Sequence, residues 1–495
     1  MTLQTVAMSN WHDGSICLVE NGQVKTHVIA ERINHNKHSE ICEKTLTSLG
    51  EEFSDIKCSG YSRVESSHHI FHAFHSFYDS GFKKALCVVI DGMGCHVEIN
   101  HPAFQKGTYG RESMSAYLLE YPNKINLVYR EVVVPFKCDL LIEDSRTHVT
   151  STISPALMFQ KTCESIDDMR WYDAGKLMAM ASYGKNIIDI KDEMFVGSDL
   201  KSFKLNYKLD TFKEKCDFAK SLQIQTQERV VEFINKSIKK VKCKNVCMSG
   251  GYFLNCVANT HIRKNLHKNI NTFVEPICSD DGISIGLAKL LWYENTKSKR
   301  VFPLKSIYFG KKRELDLNGK KVTVKDVAKL ISDKKVIGIF QSRSESGPRA
   351  LGNRSLLYDP RDPNGRDRIN KLKGREQYRP LAATVLQEHS HKWFDMCGME
   401  ESPYMLHTLD VLSDKVPGIS HVDKTCRVQT IKREFNKNYY DLIKEFYKLT
   451  DIPMVMNTSL NLAGDTIVET VDDALNTLKN SEIDHIYFPE IETLI

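Results

Sequence analysis

Short runs of β-branched and apolar residues alternate with longer stretches of helical period along most of the chain, and this alternation limits the fold more than any other feature of the sequence. ICLVE at 16–20, ALCVVID at 85–91, NVCMSGG at 245–251 and INTFVEP at 270–276 have the length of strands and end in turn residues. The stretches 66–79, 219–240 and 281–293 repeat their apolar residues at helical intervals. Strand and helix in turn predict an α/β protein. A second strand set, 336–340, 382–386 and 453–457, is interrupted by a polar stretch at 342–381 rich in Arg, Gly and Pro. A loop that long in a compact domain points to a ligand site. The charged segment 296–312, with Pro303 in it, separates the two patterned regions. At 495 residues there is chain enough for two cores, so the predicted domains are 1–300 and 301–495.

Composition removes several classes. No apolar run approaches the roughly 20 residues that cross a bilayer, and the N-terminus lacks a basic stretch followed by an apolar one. The expectation is a cytoplasmic protein with no membrane partner. The 14 cysteines are scattered, and the close pair Cys243 and Cys247 has three residues between its members, which is not zinc-ribbon spacing. They read as reduced thiols. The net charge of +5 is mild, and the basic clusters at 236–244 and 297–312 fit either solvated faces or phosphate contacts.

Three constellations carry chemistry. In SSHHIFHAF at 66–74, His68 and His72 lie one helical turn apart, the spacing at which two imidazoles share a metal ion. Two histidines leave coordination positions open for a carboxylate from elsewhere, and CSDDGISIG at 278–286 ends a predicted strand with Asp280 and Asp281 before a glycine, where a carboxylate can point into a cleft. A helix-face histidine pair and an N-cap aspartate account for the same residues without a metal. Next come glycine turns after strands, IDGMG at 90–94 and MSGGYFLN at 248–255. There Asp91, Gly92, Gly250, Gly251 and Asn255 suit the close approach of backbone N–H groups to a phosphate. No GxxxxGK(S/T) string is present, which excludes a Walker-type NTPase and leaves an actin-like ATPase fold as the better match to strand turns separated by long insertions. The third is SESGPRALGNRSLLYDPRDP at 344–363 with KLKGREQYRPLAATVL at 371–386. Arg349, Arg354, Lys373, Arg375 and Arg379 accumulate like charge that an anion would neutralise. NTSLN at 457–461 adds hydroxyls and amides able to bind phosphate or ribose.

These motifs, in this order, resemble the NodU/CmcH/TobZ family of carbamoyltransferases over nearly the whole chain. The resemblance rests on HDGS at 12–15, AERINHNKH at 30–38, HHIFHAF at 68–74, VIDGMG at 89–94, GGYFLNCVAN at 250–259, the GPRALGNRS string and VMNTSLNLAGDTIV. It implies an N-terminal actin-like domain, similar to the threonylcarbamoyl-transfer protein of tRNA modification, followed by a C-terminal YrdC-like domain. Lys373 and Arg375 match the KxR pair of YrdC-like domains, and Ser459 and Asn461 match the SxN triplet. The resemblance assigns ATP, with Mg2+, and carbamoyl phosphate to that domain, with Arg349, Arg354, Arg379 and Arg427 as further phosphate contacts. For the N-terminal domain it implies a divalent metal, iron(II) first among the choices, on His68, His72 and Asp280. His12 aligns with the base near the acceptor hydroxyl. Ser346 stands where many relatives have an aromatic residue, and 97–165 matches less clearly.

The implied activity is ATP-dependent O-carbamoylation through a carbamoyl-adenylate, on a hydroxyl of a small molecule, a sugar or a hydroxymethylated nucleobase in DNA or RNA. Two other readings fit parts of the same sequence: an enzyme of the tRNA threonylcarbamoylation type using threonine and bicarbonate, and a non-catalytic nucleotide-binding module. GPRALGNRS weighs against the first, and the retention of polar residues in both halves weighs against the second.

Overall fold

The structure is a computed structural model that describes residues 3–10, 12–48, 67–197, 199 and 202–495. Ser66, the expected first residue of a helix, and Cys58 lie outside the described residues. The α/β architecture expected from the strand and helix pattern is present in each of two compact units. One comprises Met1–Ser9, Cys17–Gln23 and Ile56–Leu304. The other takes in Lys305–Ile495 together with Asn10–Ile16 and Val24–Asp55, pieces that a single cut between 300 and 301 would place in the first.

In the first unit the strand Lys84–Ile90 is buried over all but its first residue, because ALCVVI has no polar face to expose. It pairs in parallel with Asn245–Ser249, which pairs in parallel with Asn271–Val274. On its other side the sheet turns antiparallel through Tyr109–Glu120 and Lys124–Val133, a hairpin that the region 97–165 did not advertise. His68–Ser80 packs against the parallel strands and against Ile283–Thr296. Thr211 and Glu214 form a capping box that starts the long helix Phe212–Val241, longer at both ends than the periodicity at 219–240 indicates. The parallel strands end together on one side of the sheet, where open α/β sheets bind ligands.

The second unit is built on a nine-stranded sheet. Met454–Ser459 runs between Arg354–Tyr358 and Ala382–Leu386, antiparallel to both. The polar stretch 342–381 is therefore not a loop throughout: it contributes the strand Arg354–Tyr358 and the helix Gly365–Leu372. Leu356, Leu357 and Tyr358 fill the core beside Ile337, Ile339 and Phe340. The helix Lys437–Thr450 covers the sheet with Leu442, Ile443 and Phe446, all fully buried. The thirteen described cysteines are free thiols. No helix among the described residues is long and apolar enough to cross a membrane.

Ile443→Ala leaves a cavity in this core and is expected to destabilise the protein by about 2–5 kcal/mol. Urea titration followed by fluorescence will show this as a lower midpoint with an unchanged slope.

Candidate active site

Two places gather unbalanced charge, one in each unit, and they are of opposite sign. In the first unit the helix His68–Ser80 carries His68 and His72 on one face, and the ends of neighbouring strands bring two carboxylates to them. Asp91 follows the strand Lys84–Ile90, and Asp280 opens the 3-10 turn Asp280–Gly282. His68 Nε2 lies 2.9 Å from Asp91 Oδ2, and His72 Nε2 lies 3.3 Å from Asp280 Oδ1. One ligand atom from each of the four residues falls within 4.8 Å of the others. Two imidazoles and two carboxylates around one point are a donor set for a divalent transition metal. Ser249 Oγ, 3.3 Å from His72 Nδ1, fixes the far side of that ring, as outer partners of ligating histidines do. Burial works to raise the pKa of Asp91, but the hydrogen bond from His68 and the fields of three histidines outweigh it and hold the carboxyl well below its usual range.

Asp91 is the residue that sequence reasoning placed wrongly within this site. As part of a glycine turn it was expected near a nucleotide phosphate, but its side chain faces the two histidines, while Gly251 N–H donates to its other oxygen at 3.1 Å. Gly250, at φ 97°, holds that turn open; a Cβ there would come within 2.3 Å of the Ile90 carbonyl oxygen. Gly92 accepts from Ser154 Oγ at 3.1 Å through its carbonyl. Asn255 is the N-cap of the helix Cys256–Asn265, accepting from Ala258 N–H, and its amide donates to Gln223 Oε1. Those bonds occupy the side chain that was expected to face a phosphate. Beside the helix His68–Ser80, Ile70, Cys95, Val97, Glu112, Tyr117 and Arg130 line a cavity of about 330 Å³.

In the second unit Lys373 caps the helix Gly365–Leu372 and reaches the end of the strand Met454–Ser459. Its Nζ donates to the Ser459 carbonyl, to Ser459 Oγ at 3.1 Å and to Asn461 Oδ1 at 2.9 Å. The pairing of KxR with SxN is thus a direct contact. Burial, with the charges of Arg375, Arg379 and Lys37, forces the Lys373 amine far below the usual lysine range. Burial, Arg379 and Arg427 likewise pull Arg375 down to about 9. Like charges held this close without matching carboxylates describe a site built for an anion. Lys37 belongs to this set and was not singled out from sequence; its only signal was its place beside His38 in the AERINHNKH string.

Arg354 is a correction. Its guanidinium is fully buried, donates to the carbonyls of Gln341, Ser342 and Asn353, and stacks 3.7 Å from the Phe340 ring centroid. Those contacts make it a core residue and not a phosphate ligand. Arg349 and Arg427 are partly exposed, and Arg379 lies 3.7 Å from Glu376. His12 belongs to the second unit, where Asp13 accepts from His12 at 3.1 Å and from His38 at 2.6 Å. Burial opposes ionisation of Asp13, yet these two partners bring its pKa to about 2.

Residues 328–493 match the family described as carbamoyltransferase C-terminus, and residues 200–289 match carbamoyltransferase N-terminus. Lys373, Arg375, Ser459 and Asn461 fall inside the first match and Asp280 inside the second. Nodulation protein NolNO of Sinorhizobium fredii is 28% identical over 550 residues, covering 96% of this chain and 77% of that protein. Nodulation protein NolO of Bradyrhizobium diazoefficiens is 29% identical over 448 residues, covering 84% and 77%. Among solved structures, HypF of T. kodakarensis is 13% identical with a TM-score of 0.38, covering 60% of this chain and 49% of that one.

An anion bound beside Lys373 works against the burial and the neighbouring cations that lower its pKa, because opposite charge favours the ammonium. Titration calorimetry with pyrophosphate, in buffers of different ionisation enthalpy and over a series of pH values, is expected to show net proton uptake on binding. In Lys373→Met the uptake is expected to vanish, and equal heats in all buffers for the parent protein would contradict the assignment.

Proposed function

We propose, on the premise that this chain belongs to the carbamoyltransferase family, that its second unit activates a carbamoyl group as the mixed anhydride with AMP and its first unit delivers that group to an acceptor hydroxyl. The observation that carries this reading is the contact of Lys373 with Ser459 and Asn461 amid Arg375, Arg379 and Arg427. ATP, with Mg2+, and carbamoyl phosphate are anions suited to such a surplus of cations.

The atoms balance as follows. Water takes the phosphate from carbamoyl phosphate as inorganic phosphate. An oxygen of the resulting carbamate displaces pyrophosphate from ATP, giving carbamoyl-adenylate. The acceptor oxygen then attacks the carbamoyl carbon and AMP leaves, with the acceptor's proton passing to a base. Lys373 and Arg375 stabilise the charge that grows on the departing phosphate oxygens. Ser459 and Asn461 offer a hydroxyl and an amide to phosphate or ribose.

His68, His72, Asp91 and Asp280 would hold a divalent cation, iron(II) by preference, which when bound polarises a carbonyl oxygen. Their convergence and the orientation of His72 by Ser249 fit such an ion. The cavity of about 330 Å³ beside that helix has the volume of a small-molecule site. Small hydroxylated compounds and sugars therefore lead the acceptor panel, with hydroxymethylcytosine DNA as the nucleic-acid member. The threonylcarbamoylation reading is the weaker one, since GPRALGNRS lies within the C-terminal match at 328–493.

The test separates the two steps. Carbamoyl-phosphate-dependent exchange of pyrophosphate into ATP is expected in the parent protein and is expected to fall about 10²-fold or more in Lys373→Ala. His72→Ala is expected to keep the exchange while forming no carbamoylated product by mass spectrometry. Exchange that requires threonine and bicarbonate, or that disappears equally in both variants, would reject the assignment.

A further inference from the structure

One turn below His72, the same helix carries a second set of ligating groups that the proposed reaction does not use. His75 and Asp79 stand at i and i+4 on His68–Ser80, and Glu275 follows the strand Asn271–Val274. All three side chains are wholly buried, and His75 Nε2 lies 3.4 Å from both Asp79 Oδ2 and Glu275 Oε1. One ligand atom from each falls within 4.8 Å of the others. Neither 3.4 Å approach has hydrogen-bond geometry: both ring nitrogens of His75, Asp79 Oδ2 and Glu275 Oε2 have no hydrogen-bond partner. Polar atoms left without partners in a dry core are costly unless something occupies the space beside them.

The charges point the same way. Lys289, on Ile283–Thr296, pairs with Asp79 through Oδ1 and so balances one carboxylate, leaving Oδ2 facing His75. Glu275 has one oxygen bonded by Ile277 N–H at 3.1 Å and no hydrogen-bond partner at the other. One imidazole with two carboxylates suits the divalent ions of manganese, iron and zinc better than calcium, which takes oxygen ligands.

From this geometry we infer a second metal site, in which His75, Asp79 and Glu275 bind a divalent first-row transition ion that is structural and not catalytic. The site has no exposed ligand, so the ion is acquired as the chain folds. It also bears on Asp280. A Cβ on Gly282 would come within 2.7 Å of His75, and one on Gly286 within 3.0 Å, so the backbone that carries Asp280 rests directly on this imidazole. An ion that fixes His75 thereby fixes the platform for Asp280.

The test uses the full chain expressed and purified in zinc-supplemented medium, with metal content by mass spectrometry and anomalous diffraction at the zinc edge. Two equivalents per chain are expected in the parent protein, falling to one in Glu275→Gln and in His75→Asn. Asp280→Asn is expected to lose the other ion. The anomalous map of the parent protein, which depends on no variant folding, should hold a peak among His75, Asp79 and Glu275. A parent that retains one equivalent, a metal content unchanged by Glu275→Gln, or a map with no peak at that position overturns the inference.

Discussion

Charge without a local counter-charge is the constraint on which both candidate sites depend. In the second unit the excess is positive: Lys373 directs its hydrogen bonds to Ser459 and Asn461, both uncharged, and Glu376, 3.7 Å from Arg379, offsets only part of the charge of Arg375, Arg379 and Arg427. In the first unit the carboxylates of Asp91 and Asp280 meet the imidazoles of His68 and His72. A fold accepts such imbalance only where a ligand offsets it, because isolated buried charge is among the costliest features a core can contain. The scaffold accordingly places each cluster at strand ends, where backbone turns are supported by the sheet without being buried in it.

Much of this was legible in the residues themselves. The i, i+4 spacing of His68 and His72 survives translation into structure because helical geometry is local. Lys373 and Ser459 could be paired only through a resemblance, since 86 positions separate them and no periodicity spans that distance. Asp91 shows where local reading fails. Its turn has the same composition as a phosphate-binding turn, and only the parallel pairing of Lys84–Ile90 with Asn245–Ser249 swings its carboxylate toward the histidines. Arg354 and Asn255 fail for a related reason: a polar side chain drawn as a ligand from sequence is, in the folded chain, already occupied by carbonyls or by a cap. Residues Asn10–Ile16 were read as part of the N-terminal domain by their position, whereas contacts group them with Lys305–Ile495.

Arg354 repays a closer look as an energetic device. Burial draws its pKa down to about 10, opposed by Glu469 and Glu345, and its guanidinium spans three carbonyls while its face lies on Phe340. Glu345 Oε1 in turn accepts from the backbone N–H groups of Leu351 and Asn353. The turn between Phe340 and Arg354 is therefore organised from within by one cation and one anion. The glycines and proline of GPRALGNRS shape that turn, and its two arginines serve different purposes, Arg354 inside the core and Arg349 partly exposed.

The helix His68–Ser80 behaves as a ruler. Each residue advances the chain by about 1.5 Å and turns it by about 100°, so His68, His72, Asp79 and the residues between them keep their bearings only as a block. Inserting a single residue after Ile70 would swing His72, His75 and Asp79 away from their partners together, whereas exchanging an apolar neighbour would disturb none of their directions. Evolution can retune what surrounds this helix, but its length between His68 and Asp79 is fixed in whole turns.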